Sequence, residues 1–275
     1  MQWRHPEISD AIQRALAEDV GTGDITTLAC VPADARAEGV FLARQTLVLA
    51  GVELLPEIYD LLGGVDRLDL LCFSGDQVHA GQQVARVGGL ARTLLTAERV
   101  ALNFLQRLSG AATLARQFVR AVEGTRCRVL DTRKTTPGLR RLEKLAVAAG
   151  GATNHRLGLF DAILIKNNHI AAAGGVRAAI ERTRSAGKPI EIEVRTRSEL
   201  EEALACGANH LLLDNFSVEE VAQAVREIAG RARVEVSGGI TLETTRAYAQ
   251  TGADFVSAGA LTHSAPAVDI SFRLL

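Results

Sequence analysis

From Cys127 onward the chain alternates short apolar runs with amphipathic segments, and this alternation limits its fold more than any other feature. Strand-like apolar runs occupy residues 127–130, 162–165, 190–194, 210–213, 234–236 and 254–256, with helical periodicity at 139–149, 176–185, 199–206, 218–229 and 242–250. Continuous apolar strands separated by helices pair in parallel, with both faces of the sheet covered. Six such units, or seven with an irregular one, predict an open or incomplete α/β barrel; an open doubly wound sheet is the competing architecture. Two helices open with capping boxes, Ser198 with Glu201 and Ser217 with Glu220. The helix at 218–229 carries Val218, Val221, Ala222, Val225 and Ile228 on one stripe.

The first 95 or so residues have a different rhythm. A helical period covers 8–17, and the glycines of Glu18-Asp19-Val20-Gly21-Thr22-Gly23-Asp24 then break it. Strand-like runs follow at 40–42, 47–49, 68–73 and 84–87, with a helix at 53–62. A long helical pattern runs from Thr96 to about Glu123, with Ser109-Gly110 as its expected break. The turn-rich stretch 75–81 is similar to the strands of biotinyl and lipoyl carrier domains, but no lysine lies between Gly75 and Gly89 to be modified, so it reads as β-turn scaffolding.

Composition narrows the function classes. In 275 residues, 47% hydrophobic and 23% charged side chains provide a full core. The net charge of −1 removes any whole-protein attraction to nucleic acid or to an anionic membrane. The N-terminus has no apolar signal region, and no run of about 18 apolar residues occurs, so neither secretion nor a membrane span is expected. Cys30, Cys72, Cys127 and Cys206 are widely separated, as in a reduced, cytoplasmic protein.

The positive charge is local. Between Arg126 and Ile170 there are nine Lys+Arg and three acids, so this segment is +6 and the remainder −7. Such a patch in a neutral protein suits a small polyanion; a solvated arginine-rich face is the bland alternative. In parallel α/β folds the chemistry gathers at the C-terminal ends of the strands. Those ends here are Asp131-Thr132-Arg133-Lys134, Lys166-Asn167-Asn168-His169, Glu191 and Glu193 with Arg195, Asp214-Asn215, Ser237-Gly238-Gly239 and Ser257-Ala258-Gly259. The Ser237-Gly238-Gly239 and Ala258-Gly259-Ala260 turns offer backbone N–H groups to an anion at a helix start, although the same glycines also suit plain tight turns. No Walker loop and no G-x-G-x-x-G fingerprint occurs. Arg133, Lys134, His155, Arg156 and Lys166 would face this phosphate site, while Glu193 and Asp214 would hold ribose hydroxyls, help bind Mg²⁺ or steady a developing cation, unless they merely pair with the same arginines. The residues alone describe a site for a carboxylate-bearing substrate and a phosphorylated sugar.

Several strings carry a family resemblance. Glu98-Arg99-Val100-Ala101-Leu102-Asn103-Phe104-Leu105-Gln106-Arg107-Leu108-Ser109-Gly110 resembles a helix of quinolinate phosphoribosyltransferase, and Asp131-Thr132-Arg133-Lys134-Thr135-Thr136-Pro137-Gly138-Leu139-Arg140 is similar to its most specific motif. Asn154-His155-Arg156, Leu164-Ile165-Lys166, Leu213-Asp214-Asn215, Val236-Ser237-Gly238-Gly239-Ile240, Gly259-Ala260-Leu261-Thr262-His263-Ser264 and the segment from Glu18 to Thr26 follow in order over nearly the whole chain. The resemblance implies a pentosyltransferase that joins quinolinate to 5-phosphoribosyl-1-pyrophosphate with Mg²⁺, giving nicotinate mononucleotide, CO₂ and pyrophosphate in de novo NAD synthesis. It also implies that Arg99, Arg133, His155 and Arg156 bind the quinolinate carboxylates and that Thr132 is substrate-binding, with Lys134 near both substrates and Lys166 on the phosphoribosyl donor. Glu193 and Asp214 would lie by the ribose and Mg²⁺, with Lys134, Glu193 and Asp214 as the catalytic groups; Ser237, Gly238, Gly239, Ala258, Gly259 and Ala260 would cradle the 5-phosphate. One departure is Asn167, where the family often has an acid after the strand lysine, which puts the metal assignment in question.

The implied fold is an N-terminal α/β sandwich domain, 1–102, with 262–275 returning to it, and an open (incomplete) α/β barrel, 103–261. The implied assembly is a homodimer with sites shared between subunits, Arg99 reaching the neighbouring barrel. The alternatives are a molybdenum-transport-associated paralogue of the same fold, a Schiff-base lyase using Lys166 and a catalytically dead metabolite-binding protein.

Overall fold

The computed structural model describes residues 2–275. Its first helix, α1 (Pro6–Val20), starts with proline at the first helical position, where no N–H is needed, and buries Ile8, Ala11, Ile12 and Leu16 along one stripe. After the expected glycine break comes a short helix absent from the periodicity reading, α2 (Ile25–Cys30); the Asp24 carboxylate accepts the Thr27 N–H at 2.9 Å and starts it. Next come β1 (Arg36–Ala43), β2 (Leu47–Val48), α3 (Leu55–Asp60), β3 (Arg67–Leu70), β4 (Gln77–Val78) and β5 (Gln83–Leu90). Strand β5 lies antiparallel between β1 and β3, and β2 pairs with β4 apart from that sheet. Phe41, Tyr59 and Ile58 are fully buried in the core beneath.

Helix α4 (Ala91–Ala121) is one unbroken helix. Ser109-Gly110 does not interrupt it: the Ser109 hydroxyl accepts the Ala50 N–H at 2.9 Å, and a Cβ on Gly110 would lie 2.1 Å from the Pro266 carbonyl oxygen. The pair marks a close packing contact, for which the missing side chain is needed.

The second half begins with β6 (Arg128–Leu130) and α5 (Arg140–Ala149), followed by β7 (Ile163–Ile165), α6 (Asn167–Ala173), α7 (Val176–Thr183), β8 (Ile190–Val194) and α8 (Arg197–Ala205). Then come β9 (His210–Asp214), α9 (Val218–Ile228), β10 (Arg233–Ser237), α10 (Leu242–Gln250), β11 (Phe255–Ser257), α11 (Ala260–His263) and β12 (Ile270–Leu274). Six strands form one parallel sheet in the order β6-β11-β10-β9-β8-β7. Consecutive strands β6 and β7 lie at its two edges, so hydrogen bonds do not close the barrel. A single bridge, Leu130 to Thr153, is all the ladder that the irregular stretch after α5 makes.

The expected box at Ser217 and Glu220 caps α9, but α8 is capped two residues earlier than expected: Thr196 accepts the Glu199 N–H, and Ser198 lies inside the helix. In α9 only Val221, Ala224 and Ile228 are fully buried, because its stripe rotates past Val218, Ala222 and Val225.

Two compact units result. One holds residues up to Arg116, Thr135–Gly151 and Leu261–Leu275; the other holds Gln117–Lys134 and Ala152–Ala260. In the first, β12 pairs antiparallel with β1, register Phe272 to Phe41. The expected boundary near Leu102 falls inside α4, and α5 groups with the first unit rather than with the barrel strands it follows.

Candidate active site

Every second residue of a strand shares a face. In the barrel unit this places Glu191 with Glu193 on β8, His210 with Asp214 on β9 and Glu235 with Ser237 on β10, the last of each at its strand's C-terminal end or within a residue of it. The β9–β10 register sets Ser237 beside Asp214. The acids at this rim are paired: Arg195 Nη2 lies 3.3 Å from Glu193 Oε1, Arg195 Nε 3.3 Å from Asp214 Oδ2, and Lys166 Nζ 3.8 Å from Glu193 Oε2. Sequence reading placed Arg195 at a strand end without giving it a role; it joins the two carboxylates. Their shared hold on one guanidinium shows that this oxygen set accepts a cation between its members, and hard carboxylate oxygens suit Mg²⁺. Lys166 is ion-paired and half-exposed, not set in the apolar pocket that makes a lysine nucleophilic. Asn167 is the half-buried first residue of α6.

The cationic part of the rim is built around buried Asp131. Its Oδ1 accepts the His155 N–H and its Oδ2 the Asn154 Nδ2–H, both at 2.7 Å, fastening 154–156 to the end of β6. Arg156 is then anchored through Nη1 to the Ala162 carbonyl at 3.0 Å. Burial, then the adjacent charge of Arg133, lower the Arg156 guanidinium from its ordinary value. An anion between two such guanidiniums would relieve their mutual repulsion. Thr132 Oγ1 accepts the Lys134 N–H at 3.0 Å, and the Lys134 side chain is exposed.

Two glycine turns complete the rim. Gly238 and Gly239 have φ of 93° and 62°, and a Cβ on Gly238 would sit 2.3 Å from Asn215 Oδ1. Here glycine is required both by backbone conformation and by space. Helix α10 starts only at Leu242 with Thr241 as its cap, so the Gly238 and Gly239 N–H groups precede the helix instead of belonging to its first turn. In the second turn the Ala258 N–H is spent on the Leu130 carbonyl at 3.1 Å, which removes it from the expected anion cradle; Gly259 and Ala260 follow at the start of α11.

One further expectation changes, and Arg99 lies where the sequence placed it. His155 was expected to bind carboxylate, but both ring nitrogens are engaged inside the protein: Nδ1 accepts the Arg156 N–H at 2.7 Å, and Nε2 lies 3.0 Å from Glu191 Oε2. Arg99 is exposed on α4 in the first compact unit, whereas the other expected site residues all belong to the barrel unit. Sequence reading did not pick out Glu235, which is 1% exposed; burial, then the charge of Glu191, push its carboxyl well above the usual carboxylate range. The signal was available, since an acid between Val234 and Val236 in a strand covered on both faces has no route to water.

An open parallel barrel with a divided cationic and acidic rim and two strand-end glycine turns defines a transferase-type α/β enzyme for anionic substrates. Residues 24–109 match the model of the quinolinate phosphoribosyl transferase N-terminal domain, and residues 111–273 that of its C-terminal domain. The chain is 44% identical to nicotinate-nucleotide pyrophosphorylase [carboxylating] of Mycobacterium leprae, over 96% of each chain. It is 40% identical to the probable enzyme of the same name in Bacillus subtilis, over 97% of this chain and 93% of that one. The crystal structure of NadC from Streptococcus pyogenes superposes with a TM-score of 0.94 at 41% identity, covering 100% of this chain and 99% of that one. The chain belongs to the quinolinate phosphoribosyltransferase family.

Proposed function

We propose that this protein transfers the phosphoribosyl group of 5-phosphoribosyl-1-pyrophosphate to quinolinate with loss of one carboxylate, giving nicotinate mononucleotide, CO₂ and pyrophosphate for NAD synthesis. The observation that carries this reading is the Arg133–Arg156 pair, two mutually repelling guanidiniums on a rim whose other part holds Glu193 and Asp214. A pyridine dicarboxylate satisfies the first pair through parallel N–H donation. A ribose at its anomeric carbon is served by the second.

Arg133 and Arg156, helped by Thr132, hold the two carboxylates, and Lys134 stands between the substrates. Lys166 meets the phosphoribosyl donor, and Ser237, Gly238, Gly239, Gly259 and Ala260 line its 5-phosphate. Glu193 and Asp214 lie by the ribose, where they stabilise positive charge left at the anomeric carbon as pyrophosphate departs. The same two carboxylates, with Arg195 swung aside, would hold Mg²⁺, whose bound charge offsets that of pyrophosphate. Joined to the sugar, the pyridinium ring stabilises the electron pair left on its carbon as the adjacent carboxylate leaves as CO₂, and that carbon then takes a proton from solvent to give nicotinate mononucleotide. His155 acts from behind this surface as an anchor.

Family resemblance further supports a homodimer in which Arg99 of one subunit reaches the quinolinate site of the other. No described helix is long and apolar enough to cross a membrane. The test is an assay with quinolinate, the phosphoribosyl donor and Mg²⁺, following nicotinate mononucleotide and CO₂. Nicotinate in place of quinolinate should give almost no product, because one carboxylate clamp is then empty. Comparable turnover of nicotinate would overturn the substrate assignment.

A further inference from the structure

Beside Asp214 the backbone takes a conformation that side chains seldom adopt. Among the described residues only two non-glycines, Asn215 and Ala229, have φ in the left-handed region, 61° and 50°. Ala229 closes α9, where such a residue is an ordinary helix end. Asn215 closes no helix: it lies between the end of β9 and the start of α9, at the rim. Left-handed backbone is costly for a residue with a side chain and persists where the surroundings fix it. Three contacts do so here. The Asn215 N–H donates to the Ser237 carbonyl at 2.9 Å, continuing the β9–β10 pairing in which Ser237 stands beside Asp214. The Asn215 Nδ2–H donates to Asp214 Oδ2 at 2.9 Å. Its Oδ1 and Cγ lie against Gly238, where a Cβ would meet them at 2.3 and 2.6 Å. The orientation of the amide follows from its neighbour, since an ionised carboxylate only accepts and must face the NH₂ end.

We infer that Asn215 is a positioning residue for the phosphoribosyl donor: seated on the bare face of Gly238, its amide holds the Asp214 carboxylate at a fixed distance from the Ser237-Gly238-Gly239 turn. The inference rests on the function proposed above, in which Asp214 serves the ribose and that turn its 5-phosphate. Ring and phosphate of a pentose phosphate are covalently joined, so the spacing between their two seats sets how well both engage at once. The β9–β10 ladder fixes that spacing for the backbone alone. The Asp214 side chain still turns about its own bonds until a partner holds it, and Asn215 does so with a charge-assisted hydrogen bond. Arg195 reaches the same oxygen at 3.3 Å, but through a long, half-exposed side chain, whereas the short Asn215 side chain stands on backbone pinned to β10. The contact also accounts for asparagine at a position where backbone conformation alone would favour glycine.

Glycine separates the side chain's part from the backbone's, because it adopts a φ of 61° without strain. Asn215→Gly should raise KM for the phosphoribosyl donor about tenfold and leave KM for quinolinate within about threefold, the scale of one charge-assisted hydrogen bond lost from one substrate's seat. Calorimetry with ribose 5-phosphate, which needs no turnover, should show the same weakening of about tenfold. Asn215→Asp tolerates the same backbone but accepts where asparagine donates, so it should bind ribose 5-phosphate no better than Asn215→Gly. In an Asp214→Ala background, Asn215→Gly should cost less than about threefold, because the group it holds is gone. Wild-type affinity of Asn215→Gly for ribose 5-phosphate overturns the inference, since only the backbone conformation is then required. So does an equal rise in both KM values, an aspartate variant that binds like wild type, or a further loss of about tenfold on top of Asp214→Ala. Failure of the wild type itself to bind ribose 5-phosphate or to turn over quinolinate would sink the functional reading, and the inference with it.

Discussion

Arg133 and Lys134 differ from Lys188 in position more than in charge. The first two follow β6 at the rim, whereas Lys188 is exposed just before β8, at the other end of the strands. Arg133→Ala and Lys134→Ala should each lower kcat/KM by about a hundredfold, the effect of removing one interaction with transition-state charge, and Lys188→Ala should change it little. Steady-state kinetics on the three variants decide this; equal losses would indicate general destabilisation. Glu235 makes a prediction about stability. Its folded carboxyl titrates well above the ordinary value, through burial first and Glu191 second, so the native state keeps a proton that the unfolded chain loses above about pH 4.5. The native state then binds more protons than the unfolded one, and this group's contribution to stability falls as pH rises through that window. Glu235→Gln removes the slope. Its thermal midpoint should exceed that of wild type at pH 7.5, with the gap closing toward pH 5; a gap that widens in acid would mean Glu235 is ionised in the fold.

Among the elements, α4 carries a sequence signal that helix propensity misreads. Glycine in a helix interior costs about 1 kcal/mol relative to alanine, so Gly110→Ala should stabilise an isolated helix. In the folded unit the added Cβ would stand 2.1 Å from a backbone oxygen of Pro266. Backbone cannot rotate away as a side chain can, and overpacking of this kind costs about 1–3 kcal/mol. Packing therefore wins: Gly110→Ala should lower the denaturation midpoint while leaving helix content by circular dichroism unchanged, and a raised midpoint would refute the contact. The cap of α8 shows the same limit on local reading. Ser198 with Glu201 and Thr196 with Glu199 are both capping patterns, and only where β8 ends, at Val194, decides between them.

At the scale of the whole molecule, the proposed dimer makes a countable prediction. If Arg99 completes the neighbouring subunit's site, Arg99→Ala and Lys134→Ala should each be nearly inactive as homodimers. Mixed equally and re-equilibrated, they form heterodimers with one doubly defective site and one intact site. Random pairing leaves about a quarter of all sites intact, and activity should climb toward that fraction of wild type. Verified heterodimers without recovery would confine Arg99 to its own subunit.

The alternation after Cys127 determined a parallel α/β sheet because strands covered on both faces are mostly apolar, leaving open whether that sheet curls into a barrel, and the matched strings determined the family because most of them fall at the strand ends where chemistry collects. Both are properties of order along the chain. Only the tertiary structure decided that Arg195, rather than the arginines of the +6 segment, bridges Glu193 and Asp214, that Ala258 spends its N–H on Leu130, and that His155 faces inward to Glu191. Each depends on which partner lies across a gap of three to four ångströms between residues distant in sequence. Composition and periodicity carry no record of that distance, and a buried polar group takes the partner that the packed backbone brings within reach.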